Sequence, residues 1–331
     1  MFTLSRRSLL RASTCVPLLG TSVPGMARAA QAAAWPERPI RMLVGYNTGG
    51  ATDGVARPVE ARLQAALGQP IVFEYKPGAG ATVAAALAAK ATPDGYTLHV
   101  TDSGPMTILP NGKAVGYDPL TAFSSLGMVC EGCSVIAVHP SLPVENLTDL
   151  VKMARAKPGT LTFGTSGMGG SAHLAGELFQ VMTGTELVHV PYRGGAPAAT
   201  DLVGGQIPML FASTGTALPF IENGRMRALA VTSPKRSASL PNVPTVAEQG
   251  YPGYDAMVWF SMVGPARLPP AIVSRFHGAL QGALSDTTVQ QALRRQGYEP
   301  ILGGVEIQQK RVRDDFAKWG KLIREKKISF E

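Results

Sequence analysis

Short apolar runs along the chain alternate with segments whose apolar residues recur every three or four positions, which is typical of strands followed by helices. The run at Ile40–Val44 predicts a strand, and the apolar spacing over residues 55–67 predicts the helix after it. Thr52 or Asp53 is the expected N-cap of that helix. The following elements are predicted in the same order, as a strand, a helix and a strand at residues 71–74, 82–90 and 96–101.

The same alternation starts again beyond residue 134. Strands are predicted at residues 135–138, 161–164, 187–190, 209–212 and 229–232. Helices are predicted between them at residues 147–156, 171–182 and 196–203. Further helices are expected towards the C-terminus at residues 271–284, 287–296 and 305–323. Such alternation indicates an α/β fold in which helices cover both faces of the sheet.

Two glycine-rich loops stand where a predicted strand leads into a helix, at residues 45–53 and 165–171. Ligands of open α/β sheets bind at the carboxyl ends of strands. A helix that begins there presents unpaired N–H groups and a partial positive charge, which favour anions. Because one loop falls in each α/β part, we predict that the two loops grip two anionic groups of one small molecule across a cleft.

Common motifs of nucleotide sites and hydrolases do not fit these loops. Neither Gly78 nor Gly167 continues into G-x-G-x-x-G. The pair Gly112-Lys113 lacks the Ser or Thr that a P-loop requires next. Met168 stands where G-x-S-x-G needs its last glycine. A binding protein without catalytic residues or a cofactor is therefore the simpler interpretation.

His173 and Glu177 lie one helical turn apart and are the nearest approach to a metal-ligand pair. Two side chains are too few for a typical zinc site. We therefore expect no metal, and we interpret the pair as a surface contact or as a cap of the second loop.

Composition and charge exclude further classes. Apolar residues make up 45% of the chain and charged residues 16%, which argues against a disordered chain. No uninterrupted apolar run approaches the roughly 18 residues of a membrane span. The net charge of +8 is not concentrated in an aromatic and basic signature, so nucleic-acid binding is not expected.

Residues 1–29 have the features of an export signal. The pair Arg6-Arg7 precedes a modestly apolar stretch, and Ala27 and Ala29 fit a signal-peptidase site. The paired arginines indicate the twin-arginine route, and therefore a periplasmic protein. Removal of this segment leaves 27 basic and 23 acidic residues, so the net charge falls from +8 to +4.

Two cysteines remain in the mature chain, Cys130 and Cys133, and they lie between predicted strands. A thioredoxin-like redox pair needs a helix N-terminus instead. In an oxidising compartment the pair is expected to form a small structural disulfide or to remain as free thiols.

Several segments, in order, resemble the Bug family, also called the tripartite tricarboxylate transporter receptors. The resemblance covers essentially the whole mature chain, from residue 35 to residue 320. The matching segments are GGATD (49–53), PGAG (77–80), PDGYTL (93–98), SAHLAGELF (171–179), VHVPYRG (188–194), LAVTS (229–233) and LPNVPT (240–245).

This resemblance implies a two-lobed α/β periplasmic binding protein of type II-like fold. Each lobe is expected to hold a mixed sheet flanked by helices, with a hinge of two crossing segments near residues 130 and 256. Lobe 1 would comprise residues 30–130 and 256–331, and lobe 2 residues 131–255. The implied function is a monomeric, non-enzymatic receptor. It would capture a small di-, tri- or aromatic carboxylate and deliver it to the membrane permease subunits of a tripartite tricarboxylate-type transporter.

The ligand is expected to contact both loops and their neighbours. The candidate residues are Tyr46, Thr48, Gly49, Gly50, Ala51, Asp53, Ser103, Ser166, Gly167, Gly170, Ser171, His173, Tyr192, Arg193 and Ala212. Arg193 either neutralises ligand charge or is a surface or hinge residue.

The first loop lacks the prolines usual in the family, and the strand at residues 209–212 lacks the usual polar residue. If Tyr46 points inward, Tyr46 and Ala212 favour an aromatic or longer apolar dicarboxylate. An exported sensory receptor and an exported α/β hydrolase remain as alternatives.

Overall fold

The structure is a computed structural model that describes residues 35–330. The predicted export signal at residues 1–29 lies outside the described residues. The strands are β1 Ile40–Val44, β2 Ile71–Tyr75, β3 Thr97–Asp102, β4 Phe123–Val138, β5 Thr162–Thr165, β6 Val188–Pro191, β7 Met209–Ser213, β8 Arg227–Val231, β9 Met257–Pro265 and β10 Tyr298–Pro300. The helices are α1 Ala51–Leu67, α2 Thr82–Ala89, α3 Leu147–Ala156, α4 Ser171–Thr183, α5 Gly195–Val203, α6 Thr214–Glu222, α7 Pro270–Leu284, α8 Thr287–Arg295 and α9 Val305–Lys326.

The strands form one continuous mixed sheet in the order β2-β1-β3-β9-β4-β7-β5-β6, with β8 and β10 also paired to β4. Strands β1, β2 and β3 are parallel, whereas β9 runs antiparallel to β3 and β4. In the other half, β5 is parallel to β6 and β7. The predicted two-lobed α/β fold is confirmed, and the mixed part of the sheet in each lobe belongs to one continuous sheet.

The 16-residue strand β4 crosses from one lobe to the other. Its first part pairs with β9, and its last residues pair with β7 and β8. The prediction of a separate strand at residues 135–138 was therefore wrong about where this strand begins. A second crossing runs beside it, where Ala256 N–H donates to Thr232 O (2.8 Å) and Thr232 N–H to Ser134 O (2.9 Å). These two crossings form the hinge.

Two main hydrophobic cores lie on either side of this hinge. The first contains the buried faces of β1, β3, α1 and α7, including Val44, Val59 and Phe276. The second surrounds β5, β7, α3 and α4. Helix α9 contacts both halves, because Val312 packs beside Trp259 whereas the end of the helix packs in the second core. The lobe boundaries drawn from the sequence remain predictions.

Cys130 and Cys133 are free, buried thiols, so the possible disulfide is not formed. Both lie inside β4 rather than between strands, which corrects the sequence interpretation. Residues three apart in a strand point to opposite faces and are about 10 Å apart. A disulfide needs Cα atoms within about 7 Å of each other. Cys130 accordingly packs in the first core, and Cys133 packs in a third, smaller apolar cluster with Leu210 of β7.

Helix α6 was not predicted from the sequence, because Gly215 and Pro219 lie within it and both residue types disfavour helix interiors. The one-turn π-helix at Gly104–Ile108 was also not predicted. Within residues 35–330, no helix has the length and apolar character that a membrane span requires.

Candidate ligand-binding site

The two glycine loops meet a third segment between the lobes. The loops follow β1 and β5, and the third segment is the π-helical turn that follows β3. A Cβ atom placed on Gly104 of that turn would lie 3.7 Å from the Tyr46 hydroxyl oxygen and 3.9 Å from the Gly169 carbonyl oxygen. The structure therefore brings both predicted loops to one place, at the carboxyl ends of β1, β3 and β5.

Helix α1 begins directly after the first loop and has no side-chain cap. Its N-cap is Gly50, in an extended conformation (φ −74°, ψ 174°), so the expected cap at Thr52 or Asp53 was wrong. The first intrahelical bond runs from Gly54 N–H to Gly50 O (2.9 Å). The amides of the first helical turn, starting at Ala51, therefore have no acceptor within the helix. This helix end therefore has the unpaired amides from which the sequence analysis predicted an anion site.

Asp53 braces the loop from inside the first turn of α1. Its carboxylate accepts hydrogen bonds from Gly49 N–H (2.9 Å), from the Tyr75 hydroxyl (2.5 Å) and from Arg57 Nε (3.2 Å). Burial alone would raise the pKa of Asp53, but these bonds and the Arg57 charge outweigh burial and lower it. Asp53 and the Gly49 amide are thus occupied with each other.

Helix α4 repeats this arrangement in the second loop. Its N-cap is Gly170, again extended (φ −82°, ψ 167°) and without a side-chain cap. The first intrahelical bond joins Leu174 N–H to Gly170 O (3.2 Å), which leaves the amides from Ser171 onward without an intrahelical acceptor. Two uncapped helix N-termini therefore belong to the two loops.

A pair of stacked histidines supports the second loop. Gly169 N–H donates to His173 Nδ1 (3.2 Å), and the His173 and His189 rings stack with centroids 4.0 Å apart. His189 Nε2 lies 2.7 Å from Thr165 Oγ1, which also contacts Gly167. Burial, followed by the neighbouring charge of His173, lowers the pKa of His189 to about 3. His189 is therefore neutral, and His173 is buried as a cap of the loop, as one sequence interpretation expected.

Tyr46 points inward, towards a buried carboxylate that the sequence analysis missed. The Tyr46 hydroxyl and the Thr52 side chain both hydrogen-bond Asp102, whose Oδ1 also accepts Gly104 N–H (2.8 Å). Asp102 is 7% exposed. Burial raises its pKa to about 6, although these hydrogen bonds oppose the shift. The signal available in the sequence was an acidic residue at the carboxyl end of a predicted strand.

The other candidate residues divide by exposure. Thr48, Gly49, Ala51, Ser166 and Arg193 are exposed, and Gly50, Gly167, Gly170, Ser171 and Tyr192 are half-buried.

Ser103 is fully buried, and its hydroxyl has no hydrogen-bond partner within the described residues. The Tyr192 hydroxyl donates to Asp201 (2.8 Å). Ala212 packs in the apolar cluster of β7 with Leu210 and Leu202. Ala212 thus belongs to the interior of the second lobe.

A strained turn at Ala79–Ala81 supports the first loop from behind. Ala79, Gly80 and Ala81 all have positive φ angles (49°, 69° and 70°), a conformation that alanine rarely adopts. A Cβ on Gly45 would lie 2.3 Å from Ala81 Cβ, so only glycine fits there. The sequence analysis matched this segment to the family but did not assign it to the site.

Two other kinds of possible site are metal-ligand clusters and cavities away from the two loops. Within residues 35–330, no group of three or more His, Cys, Asp or Glu side chains is placed to hold a metal ion. Cavities of about 730 Å³ beside α7 and α9 and about 380 Å³ at the hinge are lined by no residue of the two loops.

Comparison with known proteins identifies the family of this chain. The family described as "Tripartite tricarboxylate transporter family receptor" matches residues 55–328. "Protein BugT" of Bordetella pertussis is 34% identical over 303 residues, covering 91% of this chain and 93% of that protein.

Two solved structures share the fold. The structure "R. palustris Rpa4515 with adipate" has a TM-score of 0.79 and 34% identity, and covers 88% of this chain and 97% of that one. The structure "MatC (Rpa3494) from Rhodopseudomonas palustris with bound malate" has a TM-score of 0.78 and 26% identity, and covers 87% and 100%. The chain therefore belongs to the Bug-type tripartite tricarboxylate transporter receptors, a family of periplasmic solute-binding proteins that are not enzymes.

Proposed function

We propose that this protein captures a small carboxylate between its two lobes and delivers it to the permease of a tripartite tricarboxylate-type transporter. The observation that carries the proposal is the pair of uncapped helix N-termini, at Ala51 and Ser171, in loops that converge between the lobes. Each supplies free amides and a partial positive charge, which suit the two ends of a dicarboxylate.

In this proposal some residues contact the ligand directly and others only support the loops. The free amides that start at Ala51 and at Ser171 hold the charged ends of the ligand, and the exposed hydroxyls of Thr48 and Ser166 add hydrogen bonds. Arg193, exposed beside the second loop, offers the cationic side chain of the predicted set. Asp53 and His173 brace the loops and act on the ligand indirectly.

The relatives support a carboxylate as the ligand class. One solved relative is described with adipate and another with bound malate. Adipate has no hydroxyl and malate has one, so what the two ligands share is a pair of carboxylates on a short chain. Tyr46 sits where it can contact such a chain, because its hydroxyl lies beside Gly104, 3.7 Å from where a Cβ of that residue would be.

The remaining parts of the proposal concern the export of the protein, its location and its partners. The protein is proposed to be exported by the twin-arginine route, to act in the periplasm as a monomer, and to meet permease subunits in the membrane. Closure of lobe 2 (residues 131–255) on lobe 1, about the two crossings, would bury the ligand as in other hinged binding proteins.

A thermal-shift screen tests the proposal. Adipate, malate, citrate and terephthalate are compared with neutral diamides of the same chain lengths. A carboxylate at 100 times its dissociation constant should stabilise the protein by about 2.7 kcal/mol, and the diamides should not. If no carboxylate raises the melting temperature, or if the diamides raise it equally, the proposal is wrong.

A further inference from the structure

Asp102 is a buried carboxylate whose hydrogen-bond donors are all neutral. Its side-chain donors are Tyr46 from the first loop and Thr52 from α1, and the tyrosines Tyr117 and Tyr298 lie close enough for its charge to raise their pKa. Gly104 N–H completes its hydrogen bonds. None of these groups carries a positive charge, and the ion pairs among the described residues leave Asp102 out.

The proposed anion site lies directly beside this carboxylate. Thr52, whose side chain bonds Asp102, is the second residue of α1, so its own amide belongs to the free first turn. Gly104, which Asp102 holds by its amide, lies near both Tyr46 and Gly169. A ligand carboxylate that reaches these amides therefore enters the neighbourhood of a second, buried carboxylate.

Two carboxylates sharing a poorly solvated site cannot both remain ionised without a cation between them, and one of them gains a proton. Asp102 is already predisposed to do so, because burial raises its pKa to about 6 in the free protein. The added negative charge of the ligand raises this pKa further. A protonated Asp102 then has an O–H group that can donate to the ligand.

We propose that Asp102 is a proton-linked specificity residue, which takes up one proton from solvent when a carboxylate binds and donates a hydrogen bond to that ligand. The inference rests on the proposed function. Each carboxylate that binds then brings one proton with it. The affinity therefore falls as the pH rises above neutrality, a range in which the ligand itself stays ionised.

The test is calorimetric titration with adipate, and in parallel malate, between about pH 7 and pH 8.5 in two buffers of different ionisation enthalpy. For the wild type, affinity should fall with rising pH, approaching tenfold per pH unit, with uptake approaching one proton per ligand. Asp102→Asn keeps the shape and stays neutral. It should bind with no pH dependence and no proton uptake.

Asp286→Asn is the matched control, because it makes the same substitution at the N-cap of α8, outside the two loops. This variant should keep the pH dependence of the wild type. Proton uptake by the wild type is measured directly, so the test stands even if Asp102→Asn folds poorly. Binding with flat pH dependence, or an Asp102→Asn variant that still takes up a proton, overturns this inference alone. Failure of every carboxylate to bind overturns the proposed function as well.

Discussion

Replacing Ala51 with proline removes one N–H group from the proposed site without removing the helix. Ala51 is the first residue of α1, where proline is well tolerated because the N–H there has no intrahelical acceptor. The preceding residue, Gly50, is extended at φ −74° and ψ 174°, which is the region that a following proline requires. The substitution therefore deletes a hydrogen-bond donor and little else.

The size of the effect follows from the lost contact. A hydrogen bond to a charged group contributes about 1.5–3 kcal/mol, so Ala51→Pro should weaken carboxylate binding roughly 10- to 150-fold. Folding stability should stay within about 1 kcal/mol of the wild type, because proline at a compatible position costs little or stabilises slightly.

Calorimetric titration with the best carboxylate of the screen measures the affinity, and thermal unfolding without ligand measures the stability. Val305→Pro is the matched control. Val305 begins α9 behind a glycine N-cap that is also extended (φ −69°, ψ 168°), outside the two loops. Wild-type affinity in Ala51→Pro, or an equal loss in Val305→Pro, would refute the assignment of the α1 amides to the ligand.

Other predictions concern the supports of the first loop. Asp53→Asn should destabilise the protein by about 2 kcal/mol and weaken ligand binding, since a charge-assisted brace is lost. The pKa of Asp53 is lower in the folded than in the unfolded protein. The stabilisation by its carboxylate is therefore complete above about pH 4, and it is lost as the pH falls through the pKa of Asp53 in the folded protein. Chemical denaturation of both proteins from pH 7 to pH 3 should therefore show the difference shrinking at acid pH, and a constant difference would contradict it. Asp286→Asn, at the N-cap of α8, is the control that should leave binding unchanged. Gly45→Ala should destabilise by about 1–3 kcal/mol, because its Cβ would lie 2.3 Å from Ala81 Cβ. Gly278→Ala, in open space on α7, should instead stabilise by up to about 1 kcal/mol in the same thermal-unfolding assay.

Local patterns predicted most elements because each depends on a few neighbouring residues. The helix expected at residues 147–156 has the same bounds in the structure, and its buried residues Leu147, Leu150, Val151 and Ala154 recur at helical spacing. The two glycine loops were found for the same reason, since a strand, a glycine run and a helix are contiguous in sequence. Pattern analysis failed where an element departs from such rules, as in α6 with its internal proline.

The course of β4 depended on distant parts of the chain. Its two halves look like separate segments in the sequence, with glycines at 127 and 132 between apolar residues. It becomes one strand because β9, more than a hundred residues later, pairs along its first part while β7 and β8 pair along its last. That single strand also keeps Cys130 and Cys133 on opposite faces, which no spacing rule for cysteines could show.

The sequence by itself determined the family, the order of most elements and the position of the two glycine loops. Only the tertiary structure decided which side chains brace the loops through hydrogen bonds and which lie buried beside them. Asp53 and His173 turned out to be braces, whereas Asp102 emerged as a buried acid beside Tyr46. The physical reason is that periodicity reports local burial, whereas the charge state and contacts of a side chain depend on groups that folding brings from remote segments.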